Sequence, residues 1–315
     1  MLTGEPAPPS SGQESAADDD AWYQRWRARE LGRVDAAGLT YLDYAGAALH
    51  PASLLAGELG RLDGQVLGNP HSEHRASRAA TADLDAARRA ILDFLSADPA
   101  EYGVVLTANA SGACRLVGES YPWSRLCPLL LSADNHNSVN GIGEFARRAQ
   151  APMASVPLNA SLRMEDPADI LGAHAGRSGL FAFPAQSNFS GVRHPLDLID
   201  RARGRGWTVL LDAAAYLPTS RLDLGTVHPD FVVLSLYKIA GYPAGVGALV
   251  ARWDALARLR RPWFAGGTVD WVSPGLGRHR LRPGAERFED GTPPFLVAGA
   301  VPKALAAITA ADRPR

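Results

Sequence analysis

Lysine is nearly absent from this chain: Lys238 and Lys303 are the only two among thirty-two basic residues, and the rest are arginine. Cysteine is almost as scarce. Cys114 and Cys127 stand alone, too few for a disulfide framework and without metal-ligand spacing, so both read as buried thiols. No apolar run approaches the length of a bilayer span. The N-terminus is polar and acidic where a targeting segment would be basic and then apolar, so the default expectation is a cytoplasmic location. Net charge is −1, with both signs mixed along the chain, which leaves neither a nucleic-acid footprint nor a polybasic membrane patch. These absences leave a small molecule as the expected partner.

The 315 residues can bury a sizeable core. Residues 1–20 (MLTGEPAPPSSGQESAADDD) offer almost no large apolar side chain to offset their ordering entropy and read as a disordered tail. A short helix is expected over Ala21–Leu31, a brief extended segment over Thr40–Ala45 and a helix over Pro51–Leu67. A polar loop, GNPHSEH, then leads into a long helix from Arg75 to Leu95. From there the pattern changes to seven short apolar runs: Val104–Thr107, Pro128–Ser132, Ala154–Leu158, Gly179–Pro184, Thr208–Asp212, Phe231–Leu236 and Val246–Ala251. Helical stretches such as Gly141–Gln150 and Leu196–Arg205 separate most of them. Such alternation predicts an α/β fold with a mainly parallel seven-stranded sheet and helices on both faces. Residues 264–284 are rich in Gly and Pro, and a last helix is expected over Phe295–Ala310.

Ligands of such sheets bind beyond the carboxyl ends of the strands, and those ends carry a consistent set. Ser111 opens a helix after the first run, where free amides and the helix dipole suit an anion, although an ordinary helix cap uses the same residue. His136 follows the second run and can stack on a ring, move protons or serve only the loop. Asn188 brings an amide to the same crevice, or bonds the backbone of its own loop. Asp212 ends an apolar run before three alanines, where a carboxylate is costly without a cationic partner. One strand later come Ser235, Tyr237 and Lys238. Lysine, unlike arginine, can lose its proton and form an imine with a carbonyl. The arginine excess also fits a GC-rich coding sequence, so it is position that singles out Lys238. Together these groups meet the needs of pyridoxal phosphate: an imine lysine, a carboxylate for the ring nitrogen, a helix end for the phosphate and a flat group for the ring face. A doubly wound nucleotide-binding protein fits poorly, because no GxGxxG follows the first sheet strand.

The motifs YLDYAGAALHP, GNPHSEH, TANASGACRLVGESYPW, DNHNSV, FAFPAQSNFSGVRHPL, LLDAAAY, LSLYKIAGYPAGVGALV, FAGGTVDW and RFEDGTPPF occur in one order from Thr40 onward. In them the chain resembles the class V aminotransferase family of fold type I pyridoxal-phosphate enzymes, on the branch of the desulfurase-like domain of molybdenum cofactor sulfurases. The resemblance implies a cytoplasmic homodimer that binds pyridoxal 5'-phosphate and acts on L-cysteine. It implies Lys238 as the imine lysine, Asp212 at the pyridine nitrogen, His136 on the ring and Asn188 at the phenolic oxygen. Ala110, Ser111 and Ser235 would hold the phosphate, with Thr268 reaching it from a second subunit. Arg287 would lie near the substrate, or instead pair with a neighbouring carboxylate. Two positions depart from the desulfurase pattern: Ala215 stands where Gln is common, and Tyr237 where His is. The expected organisation is a cofactor-binding large domain over 21–265 and, over 266–315, the connection and start of a small C-terminal domain. That small domain would supply the substrate-carboxylate arginine and the persulfide cysteine, which neither Cys114 nor Cys127 matches. The alternatives are transaminase, lyase or epimerase chemistry on another amino acid, or cofactor binding without turnover.

Overall fold

All seven apolar runs become strands of one sheet. The computed structural model describes residues 11–177 and 179–311. Among them the chain opens with α1 (Ser11–Ala36), α2 (Ala52–Gly64) and α3 (Arg75–Phe94). Strand and helix then alternate through β1 (Tyr102–Thr107), α4 (Ala110–Ser120), β2 (Leu129–Ser132), α5 (Asn137–Asn140), α6 (Ile142–Arg148) and β3 (Met153–Val156). Next come α7 (Ala168–Ala173), β4 (Leu180–Pro184), α8 (Leu198–Arg203), β5 (Thr208–Asp212), β6 (Phe231–Ser235), α9 (Leu236–Ala240), β7 (Gly247–Arg252) and α10 (Trp253–Arg258). A hairpin of β8 (Val269–Ser273) and β9 (Arg278–Leu281) precedes α11 (Phe295–Ala298) and α12 (Val301–Ala311).

The sheet order is β1-β7-β6-β5-β4-β2-β3. Strand β7 runs antiparallel to both of its neighbours, and every other pair is parallel. The carboxyl ends of β1, β2, β4, β5 and β6 therefore share one edge.

Side chains alternate across each strand with a period of two, and both faces are buried in every strand but the edge strand β3, which is why those runs read as apolar throughout. On one face, Val104, Leu106, Phe181, Phe183, Val209, Leu211, Val232 and Leu234 pack under Leu84 and Ile91 of α3, Ile199 of α8 and Leu305 of α12. On the other, Val105, Leu180, Leu210, Phe231, Val233 and Leu249 pack under Leu116 and Val117 of α4, Ile142 of α6 and Leu256 of α10.

Four stretches differ from the sequence-based reading. Half of the expected tail, residues 11–20, lies in α1, while residues 1–10 lie outside the described residues. Helix α1 carries Arg33 in its last turn, where a basic side chain suits the helix dipole. Residues 40–45 form no strand and lead into a turn at 44–46, closed by Asp43 Oδ1 accepting from Gly46 N at 3.1 Å. The Gly/Pro-rich stretch contains the β8–β9 hairpin. The last helix is split just before Pro302, whose missing N–H and ring oppose a continuous helix, and at the split Arg61 Nη2 donates to Leu296 O at 2.7 Å. Gly299 makes the room: a Cβ there would lie 2.5 Å from Arg61 Cζ.

Two glycines bring the sheet edge together. In the register, Gly247 pairs with Thr107 of β1 on one side and Ser235 of β6 on the other. A Cβ on Gly247 would sit 2.4 Å from Asn109 Cα. Gly241, at φ 73°, lets residues 48–50 pass the end of α9, with His50 N 2.3 Å from where its Cβ would be. We expect Gly247→Ala to cost about 3 kcal/mol or more in urea unfolding, because backbone must move. The control Gly245→Ala, at φ 75° but with nothing within 4 Å, is expected to cost about 1 kcal/mol. Equal losses would count against close approach as the constraint at Gly247.

Candidate active site

Strand β6 ends at Ser235 and α9 starts on the next residue, so Lys238 is carried on a single helical turn at the sheet edge. That turn is tied at both sides: Tyr237 O accepts from Gly241 N at 3.0 Å and from Ala48 N at 3.1 Å. Residues 48–50 thereby form a strap along the lysine turn.

The start of α4 meets the same turn. Asn109 caps the helix, its Oδ1 accepting from Gly112 N at 3.0 Å. Ala110 N donates to Ser235 Oγ at 2.8 Å, and Ser111 Oγ lies 2.6 Å from Ser138 Oγ. The amide of Ser111 finds no protein acceptor among the described residues. This end of α4 offers a free amide, hydroxyls and the positive end of the dipole, which suits an anion.

Asp212 closes β5 at the same edge. Its Oδ1 accepts from Ala214 N at 3.0 Å, and among the described residues it forms no ion pair. Burial pushes its pKa up; the Ala214 amide, His136 and Lys238 act against this without cancelling it. A buried carboxylate held in this way is stabilised by any cation that comes against it. His136 caps α5, its Nδ1 accepting from Ser138 N at 3.1 Å, and Asn188 lies on the loop after β4.

One cavity is lined by Asn109, Ala110, Ser111, His136, Asn188, Asp212, Ser235 and Lys238, with Cys114, Ala215 and Tyr237 in its wall. Seven of the expected site residues are thus brought together from five strand ends. Two are not. Thr268 is fully buried elsewhere, its hydroxyl donating to Ala265 O at 2.8 Å and accepting from Ala265 N at 2.9 Å. Arg287 sits over the Phe288 ring at 4.8 Å and donates from Nη2 to Leu256 O at 3.2 Å. It forms no ion pair among the described residues, so the carboxylate pairing considered from sequence is not made. Burial lowers its pKa.

The aminotransferase class-V family model matches residues 40–313. The chain belongs to the class-V aminotransferase family. It is 39% identical over 292 residues to molybdenum cofactor sulfurase of Bos taurus, covering 86% of this chain and 32% of that protein. Against molybdenum cofactor sulfurase of Solanum lycopersicum it is 34% identical over 304 residues, covering 86% and 37%. The chain thus spans about a third of the length of these relatives. Its fold matches the apo structure of cysteine desulfurase from Thermococcus onnurineus NA1 with a TM-score of 0.80 at 22% identity, over 91% of this chain and 70% of that one.

Both thiols, Cys114 in the cavity wall and Cys127 ahead of β2, are held neutral. Burial and the nearby Asp212 carboxylate push Cys114 well up, and burial pushes Cys127 to about 11. Neither is a thiolate nucleophile at neutral pH. Sequence reading passed over Asp134 and His194. Their signal was present in DNHNSV and GVRHPL, but nothing local joins positions sixty residues apart.

The direction of the Asp212 shift has a measurable consequence. A raised carboxyl pKa means that the folded protein holds this proton more tightly than the unfolded chain, so its contribution favours folding in acid. That contribution is lost as pH rises through the raised value, and at neutral pH the buried charge is a cost. Without added ligand, Asp212→Asn is expected to raise Tm at pH 7.5 by about 2 °C or more, and to leave it little changed at pH 4. A lower Tm at pH 7.5 would refute this.

Proposed function

We propose that this chain binds pyridoxal 5'-phosphate at the Lys238 cavity and acts on L-cysteine as a desulfurase-like enzyme, working as a homodimer. The observation that carries the reading is the convergence on one cavity of a lysine with no ion pair among the described residues, a buried carboxylate and a helix N-terminus. The donor set fits the cofactor. Lys238 Nζ would hold the aldehyde, Asp212 the ring nitrogen, His136 the ring face and Asn188 the phenolic oxygen. Ala110, Ser111 and Ser235 would hold the phosphate at the α4 end. Thr268, the residue expected to reach the phosphate from a second subunit, has its hydroxyl bonded to the Ala265 turn within its own subunit.

When bound, the cofactor supplies an aldehyde and an electron-withdrawing ring that make bonds at the α-carbon of an amino acid labile. Lys238 Nζ is the group placed to hold and move a proton at the substrate α-carbon. Asp212, without a cation of its own, favours positive charge at the ring nitrogen. In desulfuration the Cβ–S bond of cysteine breaks, sulfur passes to an acceptor thiolate as a persulfide, and the carbon skeleton leaves as alanine. The buried, neutral state of Cys114 and Cys127 assigns the acceptor thiol to neither of them.

The kinship with molybdenum cofactor sulfurases and the cysteine desulfurase fold support cysteine over other amino acids. Titration with pyridoxal 5'-phosphate is expected to produce visible imine absorbance that borohydride fixes to the peptide carrying Lys238, and Lys238→Ala is expected to lose it. L-cysteine, out of a panel of amino acids, is expected to perturb that spectrum and, with an added thiol such as dithiothreitol to accept the sulfur as a persulfide, to yield alanine. Absence of binding by the wild-type protein at saturating cofactor would sink the reading. Turnover of a different amino acid alone would move it to another class-V reaction.

A further inference from the structure

Two loops bound the ring-facing side of the cavity. One follows β2 and carries His136; the other follows β4 and carries Asn188. A buried pair joins them: His194 Nε2 lies 2.8 Å from Asp134 Oδ2, with the side chains 1% and 5% exposed. Asp134 Oδ1 also accepts from Ser132 Oγ at 2.6 Å. Burial works to raise the Asp134 pKa, but hydrogen bonds from His194, Ser132 and Ser187 outweigh it and hold the carboxyl below the usual range. An ionised Asp134 has no proton to give, so the imidazole N–H is the donor.

Both partners are wired into the loops they join. Asp134 stands two residues before His136 on the short connection from β2 to α5. The same connection is held from its other side by Asn135 Nδ2 donating to Ala182 O at 2.9 Å. His194 N donates to Ala185 O at 3.0 Å and Ser187 N to Val192 O at 2.9 Å, so residues 185–194 are clamped at their base. Ser187 Oγ accepts from Phe189 N and Ser190 N at 3.3 Å each, fixing the turn that carries Asn188.

We propose that the Asp134–His194 pair is a positioning latch that sets His136 and Asn188 at the spacing the bound cofactor requires. The inference rests on the reading of the cavity as a pyridoxal-phosphate site. Neither residue of the pair lines the inner cavity, so each acts through the loop it anchors. A buried pair serving the fold alone would lower stability without regard to His136 and Asn188; a latch is felt through them.

Cofactor affinity, read by absorbance and fluorescence titration of the full chain with pyridoxal 5'-phosphate, separates the two. His194→Leu removes the donor and is expected to weaken binding about tenfold. His194→Gln, which keeps a donor, is expected to bind within about twofold of wild type. In a His136→Ala/Asn188→Ala background, which keeps Lys238 and the α4 end, adding His194→Leu is expected to change affinity less than about twofold, because the groups it positions are gone. Asp134→Asn passes through the same cycle, so the question is decided even where the leucine variant fails to fold. Wild-type affinity in His194→Leu, or an equal loss in both backgrounds, overturns the latch. Failure of the wild-type protein to bind the cofactor overturns the underlying reading instead, and the two failures are told apart at the first titration.

Discussion

The site depends on one close approach of backbone to backbone. Strand β7 enters the sheet between β1 and β6, and its first residue, Gly247, faces Thr107 on one neighbour and Ser235 on the other. Any side chain there would collide with Asn109. Because it is glycine, the start of α4 closes on the end of β6, and the Ala110 amide reaches the Ser235 hydroxyl. The anion-binding end and the lysine turn are thereby fixed to each other. Gly241 plays the matching part at the far end of α9, where the strap at 48–50 holds the turn from below.

Around this frame the two acidic residues at strand ends are handled in opposite ways. Asp134 has a histidine and a serine bonded to it and is held ionised. Asp212 receives one backbone amide and no ion pair, and burial raises its pKa. The difference separates a carboxylate satisfied within the fold from one whose electrostatics are left incomplete by it. Incompletely satisfied buried groups cost stability and mark sites where a ligand supplies the missing partner.

Much of this was legible in the sequence. A strand buried on both faces must be apolar along its length, and each of the seven runs showed that. Lys238, Asp212, Ser111 and His136 stood out because polar groups directly after such runs have one place to go, the carboxyl edge of the sheet. Arg287 was expected near the site, and Thr268 near that of a second subunit, by resemblance, and their positions depend on how the segment after residue 260 folds back. There Thr268 is used up in its own turn and Arg287 packs on Phe288.

By itself the sequence determined the local elements and the chemistry of the strand ends, because period, capping and burial on two faces act over a few residues. Only the tertiary structure decided which strand lies beside which, that β7 runs backwards through the sheet, that Arg61 bonds the carbonyl at the split in the last helix, and that Asp134 meets His194. Those contacts join residues dozens to hundreds of positions apart, and their energy comes from burial, which does not exist until the chain has closed on itself.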